Sequence, residues 1–157
     1  MTSEKNFIVK GRHAARLAAV QALYQLEQEP VLPEQVIAEF TTCRFQEIVE
    51  GTRFIKPDTV LFQDIVYGVT ERFTTLNSML ESSLSEGWRL DRMQSVVRAI
   101  LRAAVFELLR NTSVPTPVVI NEYIEITRAF CADPEVSFVN AVLDALAKLL
   151  RNPDLQE

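Results

Sequence analysis

The chain has 157 residues, 48% of them hydrophobic, with four Gly, seven Pro and a formal net charge of −5. That length buries enough surface to fold without disulfide or metal. The two cysteines, Cys43 and Cys131, stand far apart behind no apolar leader, which points to free thiols in a reducing, cytoplasmic setting. Arg102 and Glu107 interrupt the most apolar stretch well short of a membrane span.

In chain order, apolar residues recur at helical spacing. Leu17, Val20, Leu23, Tyr24 and Leu26 mark a helix over Arg12–Glu29. Pro30 and Pro33 end it, and Val36, Ile37 and Phe40 stripe a second, shorter helix. The stretch 41–57 is less regular, with Gly51 and Pro57 marking a loop. Asp58 is placed to cap the longest element, striped by Leu61, Ile65, Val69, Phe73, Leu76, Leu80 and Leu84 and ended by Gly87. Between Asp91 and Asn111 the apolar residues cover more than one stripe, which predicts a central helix. Thr116-Pro117 reads as a cap and first turn for a helix carrying Val119, Ile120, Tyr123 and Ile124. Ala132-Asp133-Pro134 breaks that helix, and a final one carries Phe138, Val139, Val142, Leu146, Leu149 and Leu150. Nothing alternates over a length that predicts a sheet. The expected architecture is an all-α, single-domain bundle of six or seven helices around one core. Residues 1–10 are expected as a flexible basic lead, 11–152 as the folded domain and 153–157 as a tail.

The charges are segregated along the chain. Residues 1–25 carry +3, 26–88 carry −7, 89–110 carry +3 and the remainder −4. An acidic protein can therefore still present a basic surface, and the overall charge does not exclude nucleic acid.

Catalytic parts are scarce. The four glycines are isolated, so no phosphate-cradling loop is present. His13 is the only histidine, which removes the helical His-pair metal patterns, and it offers neither Cys nor Ser a placed base. No catalytic residue, metal or cofactor is expected. The first helix is more informative. Arg12 and Arg16 share a face, Lys10 and His13 adjoin it, and Tyr24 follows two turns beyond. Cations bind phosphates and an aromatic ring stacks on an unpaired base; a basic turn beside a core tyrosine accounts for the same pattern equally well. Asn121 and Asn140, set in apolar surroundings, are expected to bond between the last two helices. Phe138 is expected to be partly exposed, as a second stacking residue.

Four segments together resemble one family. They are Arg12-His-Ala-Ala-Arg16 running into Ala19-Val-Gln-Ala-Leu-Tyr24, Leu101-Arg-Ala-Ala-Val-Phe-Glu-Leu108, Val114-Pro115 with Val119-Ile-Asn-Glu122, and Phe138-Val-Asn140 with Val142-Leu-Asp144. In order and spacing they are similar to the NusB family of transcription antitermination factors. The resemblance implies a non-catalytic helical RNA-binding protein. Such proteins bind the boxA element of ribosomal RNA transcripts together with NusE, a small-subunit ribosomal protein, and serve the RNA polymerase antitermination complex. Carried over by position, the RNA contacts are Lys10, Arg12, His13 and Arg16 with Tyr24 and Phe138. Asp91, Arg92 and Arg98 correspond to the NusE face. This sequence departs from the family at Ala14 and Ala15, which interrupt the arginine cluster, and at Ser83, Val97, Pro134 and Ser137. Two other uses of such a chain are a homodimer covering its own RNA face and the helical domain of a ribosomal RNA cytosine methyltransferase, for which 157 residues leave no room for a methyl-donor domain.

Overall fold

The structure is a computed structural model. It describes the backbone of residues 2–47, 49–50, 53–84 and 88–151, and the side chains of these outside 2–7 and 46–54. Gly51, Gly87 and the 153–157 tail lie outside the described residues. Seven α-helices form among the described residues: α1 (Thr2–Gln28), α2 (Pro33–Thr42), α3 (Thr59–Glu71), α4 (Phe73–Ser83), α5 (Ser95–Arg110), α6 (Thr116–Phe130) and α7 (Asp133–Leu150). An all-α fold is thus what the periodicity predicts. The exception is a small hairpin, β1 (Val49–Glu50) against β2 (Arg53–Phe54), with Val49 opposite Phe54 and Glu50 opposite Arg53. Two residues per strand are too few for alternation to be read.

The chain forms two compact units, Met1–Thr70 and Glu71–Glu157, where the periodicity alone suggests one core. In the first, α1 packs on α2. The helix begins at Thr2, so residues 2–10 are helical rather than a flexible lead. Its buried face is made of small residues, Ala14, Ala15, Ala18, Ala19 and Ala22 with Val20 and Leu23, while Leu17 and Leu26 are only half-buried. A face of alanines lets neighbouring backbone come close. At Gly11 this reaches its limit: a Cβ there would stand 2.8 Å from the Lys56 carbonyl oxygen, and the Asp58 amide donates to the Gly11 carbonyl at 3.0 Å. Phe40, Phe45 and Phe62 form an aromatic cluster with centroid separations of 4.8 to 6.3 Å. In α2 the first residue is Pro33, and the Gln35 side-chain oxygen accepts from the Leu32 amide at 3.0 Å.

Asp58 caps α3 as expected, its Oδ1 accepting from the Leu61 amide at 3.0 Å. The long element predicted from Asp58 onward is instead two helices, separated at Arg72 (φ −107°, ψ 21°). Just before the break the Thr70 hydroxyl donates to the Val66 carbonyl at 2.7 Å, a back-bond that bends helices.

In the second unit α5 packs against α4, α6 and α7, and α6 against α7. Every residue from Ala99 to Leu108 is buried, including Arg102 and Glu107. Buried charge is costly unless bonded, and both are. Arg102 donates to Asn77 at 2.8 Å and lies 4.4 Å over the Phe73 ring. The Glu107 carboxylate accepts from the Tyr123 hydroxyl and, at 2.9 Å, from Asn111. The C-terminus of α5 has a further partner in Arg151. Its guanidinium donates to the carbonyls of Leu108 (2.8 Å), Val114 (2.6 Å), Glu107 (3.1 Å) and Asn111 (2.9 Å), and to the Thr116 hydroxyl (3.3 Å). Carbonyls at a helix end lack intrahelical partners, and a cation there also complements the helix dipole. Burial pushes the Arg151 guanidinium below its usual pKa, opposed by the Glu107 carboxylate.

Candidate nucleic-acid interface

Because α1 runs from Thr2, Lys10, Arg12, His13 and Arg16 sit along the helix rather than at its start. The dipole penalty expected for cations in the first turn does not reach Arg12, since it fades within one turn. At 100° per residue, Lys10, His13, Leu17, Gln21, Tyr24 and Gln28 fall on one row. All six are exposed or half-buried. Tyr24 is 44% exposed, so it is not the core tyrosine that the pattern also allowed.

Arg12 stands beside that row, exposed, with Nε 4.0 Å from Asp58 Oδ2. An exposed pair at that distance contributes little and exchanges readily for a phosphate. Asp58 thus serves two partners, with one oxygen on the α3 amide and the other facing Arg12. Arg16 differs. It is 2% exposed and among the most completely buried side chains of the protein, so it cannot reach a phosphate on the surface. The i, i+4 spacing puts Arg12 and Arg16 on one face, but that face turns inward between them: Ala14 and Ala15, which interrupt the arginine cluster, are both core residues.

In the second unit Phe138 is half-buried and stacks on Trp88, with ring centroids 4.7 Å apart at 28°. A cleft of about 310 Å³ opens between α6 and α7, lined by Asn121, Ile124, Glu125, Arg128, Val136, Ser137 and Asn140. Both asparagines are exposed on this cleft, so they are not the buried interhelical amides expected from their apolar neighbours. Arg128 pairs with Glu125 at 2.6 Å across one exposed turn.

The three residues expected at a partner face behave unequally. Asp91 and Arg92 are exposed, and Asp91 receives Arg89 at 3.2 Å. Arg98 points inward on the 3-10 turn Leu90–Arg92, donating to the carbonyls of Leu90 (3.3 Å) and Met93 and to the Ser95 hydroxyl (2.9 Å). It holds that turn against the start of α5. Val97, beside it, is buried.

Among the described residues no group of three His, Cys, Asp or Glu side chains is placed to hold a metal, and no helix is long and apolar enough to cross a membrane. Both cysteines are free thiols. Cys131 has its pKa raised by burial and by the nearby Glu135 carboxylate.

Comparison with known proteins places the molecule. The pattern of the NusB family matches residues 13–148. The chain belongs to the NusB family. The transcription antitermination protein NusB of Caulobacter vibrioides is 43% identical over 144 residues, covering 92% of this chain and 97% of that protein. That of Sinorhizobium fredii is 46% identical over 140 residues, covering 89% and 88%. Among solved structures, T. maritima NusB superimposes with a TM-score of 0.73 at 30% identity, covering 87% of this chain and 90% of that one. A crystal structure of antitermination factors NusB and NusE in complex with double-stranded RNA shares the fold, with a TM-score of 0.73 at 23% identity over 88% and 97% of the two chains. The family is one of non-catalytic transcription antitermination factors.

Proposed function

We propose that this protein is an RNA-binding adaptor that holds the boxA element of ribosomal RNA transcripts together with NusE and so serves the RNA polymerase antitermination complex. Family membership over residues 13–148 is the observation that carries this reading. The exposed row on α1 supports it: Lys10 and Arg12 supply cations for phosphates, His13 adds a ring nitrogen, and Tyr24 offers a base a ring to stack on. Phe138 contributes a second aromatic contact from α7, and Arg16 holds the fold beneath the surface. A related fold solved with NusE and RNA favours the two partners. Asp91 and Arg92, exposed before α5, are the residues we assign to NusE, with Arg98 fixing the turn that carries them.

The deciding experiment measures binding of boxA RNA and of a scrambled strand of the same composition, with and without purified NusE. Preference for boxA that strengthens when NusE is added is the expected result. Equal binding of both strands, unchanged by NusE, overturns the reading.

A further inference from the structure

Trp88 is the only tryptophan in the chain and is 55% exposed, just before the turn that leads into α5. An indole left this open forgoes most of the stabilisation its burial would bring. The ring is nevertheless held, because Phe138 stacks on one of its faces. A platform already ordered in this way loses little side-chain entropy when something stacks on its other face.

Its surroundings indicate what that is. Arg89 and Arg92 follow Trp88 closely and are both exposed, and the only acid among them, Asp91, is held in a solvent-screened pair. On α7, Phe138 adjoins Ser137, which with Asn140 forms one wall of the α6–α7 cleft; Asn121 and Arg128 stand on the other. Beside the stack, Arg89 and Arg92 supply cations of the kind that meet phosphates, and the cleft beyond Ser137 carries the carboxamides of Asn121 and Asn140 together with Ile124, Val136 and the Arg128–Glu125 pair. From this juxtaposition we infer that Trp88 is a nucleobase-stacking residue, on whose outer face an unpaired RNA base extends the Trp88–Phe138 stack. The inference rests on the RNA-binding reading above and adds a contact to the aromatic pair Tyr24 and Phe138.

As the sole tryptophan, Trp88 reports on itself. Titration with short single-stranded boxA RNA is expected to quench its emission along the binding curve that a gel shift gives. Trp88→Ala should weaken binding about tenfold, the loss of one stacked base, and Trp88→Phe should keep it within about threefold of the wild type. If the alanine variant fails to fold, the wild-type quench and the phenylalanine variant still decide. RNA that binds by gel shift while Trp88 emission stays unchanged overturns the inference and leaves the RNA-binding reading standing. So does a folded Trp88→Ala variant that binds as tightly as the wild type, or quenching by purified NusE alone with none by RNA. Absence of any boxA binding by the wild type overturns both.

Discussion

On α1, Arg12 is exposed, with its Nε 4.0 Å from Asp58 Oδ2; at the end of α5, Arg151 gives its whole guanidinium to carbonyls and a hydroxyl. The two regions carry cations and use them in opposite ways. The difference lies in what the fold places beside each cation. On α1 Arg12 lies beside a partly exposed carboxylate that it can exchange for an outside anion, whereas Arg16, one turn on, is buried. At the end of α5 the carbonyls of Leu108 and Val114 take Arg151 donors, and those of Glu107 and Asn111, which already accept the Asn111 and Val114 amides, take a second hydrogen bond from the same fork. Charge in a sequence therefore measures the supply of cations, whereas the acceptors that the fold places beside each one decide which remain exposed.

The largest effect that tests this contrast is on Arg151. Arg151→Ala strips donors from the end of α5 and is expected to lower unfolding free energy by about 3 kcal/mol, read from urea denaturation, with the salt dependence of RNA binding unchanged. A loss under about 0.5 kcal/mol would mean that water serves those carbonyls equally well. Next comes Gly11→Ala, where the new methyl meets the Lys56 carbonyl oxygen. Better helix propensity offsets part of the clash, leaving a net loss of about 1–2 kcal/mol by thermal or urea melting. A variant more stable than the wild type would show that α1 has room to draw back from the 56–58 segment.

Lys10→Ala with Arg12→Ala is the converse experiment. Stability should stay within about 0.5 kcal/mol, while the log K against log salt slope for boxA RNA becomes shallower by about 0.7 for each phosphate that the variant no longer neutralises. An unchanged slope places the RNA elsewhere. The smallest effect concerns Cys131. Because its pKa is raised by burial and then by Glu135, less thiolate is present at a given pH. Alkylation of Cys131 by iodoacetamide, followed by mass spectrometry, should be slower than that of a free model thiol near pH 8. The rate should keep climbing after the model thiol has levelled off; a matching pH profile would contradict the shift.

Much of the fold is legible without coordinates. The central position of α5 follows from apolar residues on every side between Ala99 and Leu108, and the start of α3 from an Asp whose carboxylate suits first-turn amides. The break at Arg72 is not legible, because apolar spacing continues through it. On α1 the large residues mislead. Leu17, Tyr24 and Leu26 suggest the core stripe, but the alanines take it, since small side chains permit the close approach seen at Gly11. The candidate site divides along the same line. Tyr24 is visible as an aromatic at the right spacing, while the role of Trp88 depends on a ring that lies 50 positions away in the chain.

Composition and periodicity by themselves determine that this protein is helical and that its acidic net charge conceals a basic first helix. These are local properties, set by side-chain spacing and residue type. Tertiary structure alone decided that Arg12 is available and Arg16 is not, that Asn121 and Asn140 face a cleft instead of each other, and that Trp88 and Phe138 form one stack. Each of these depends on which neighbour occupies the space beside a side chain, and partners distant in sequence supply that neighbour.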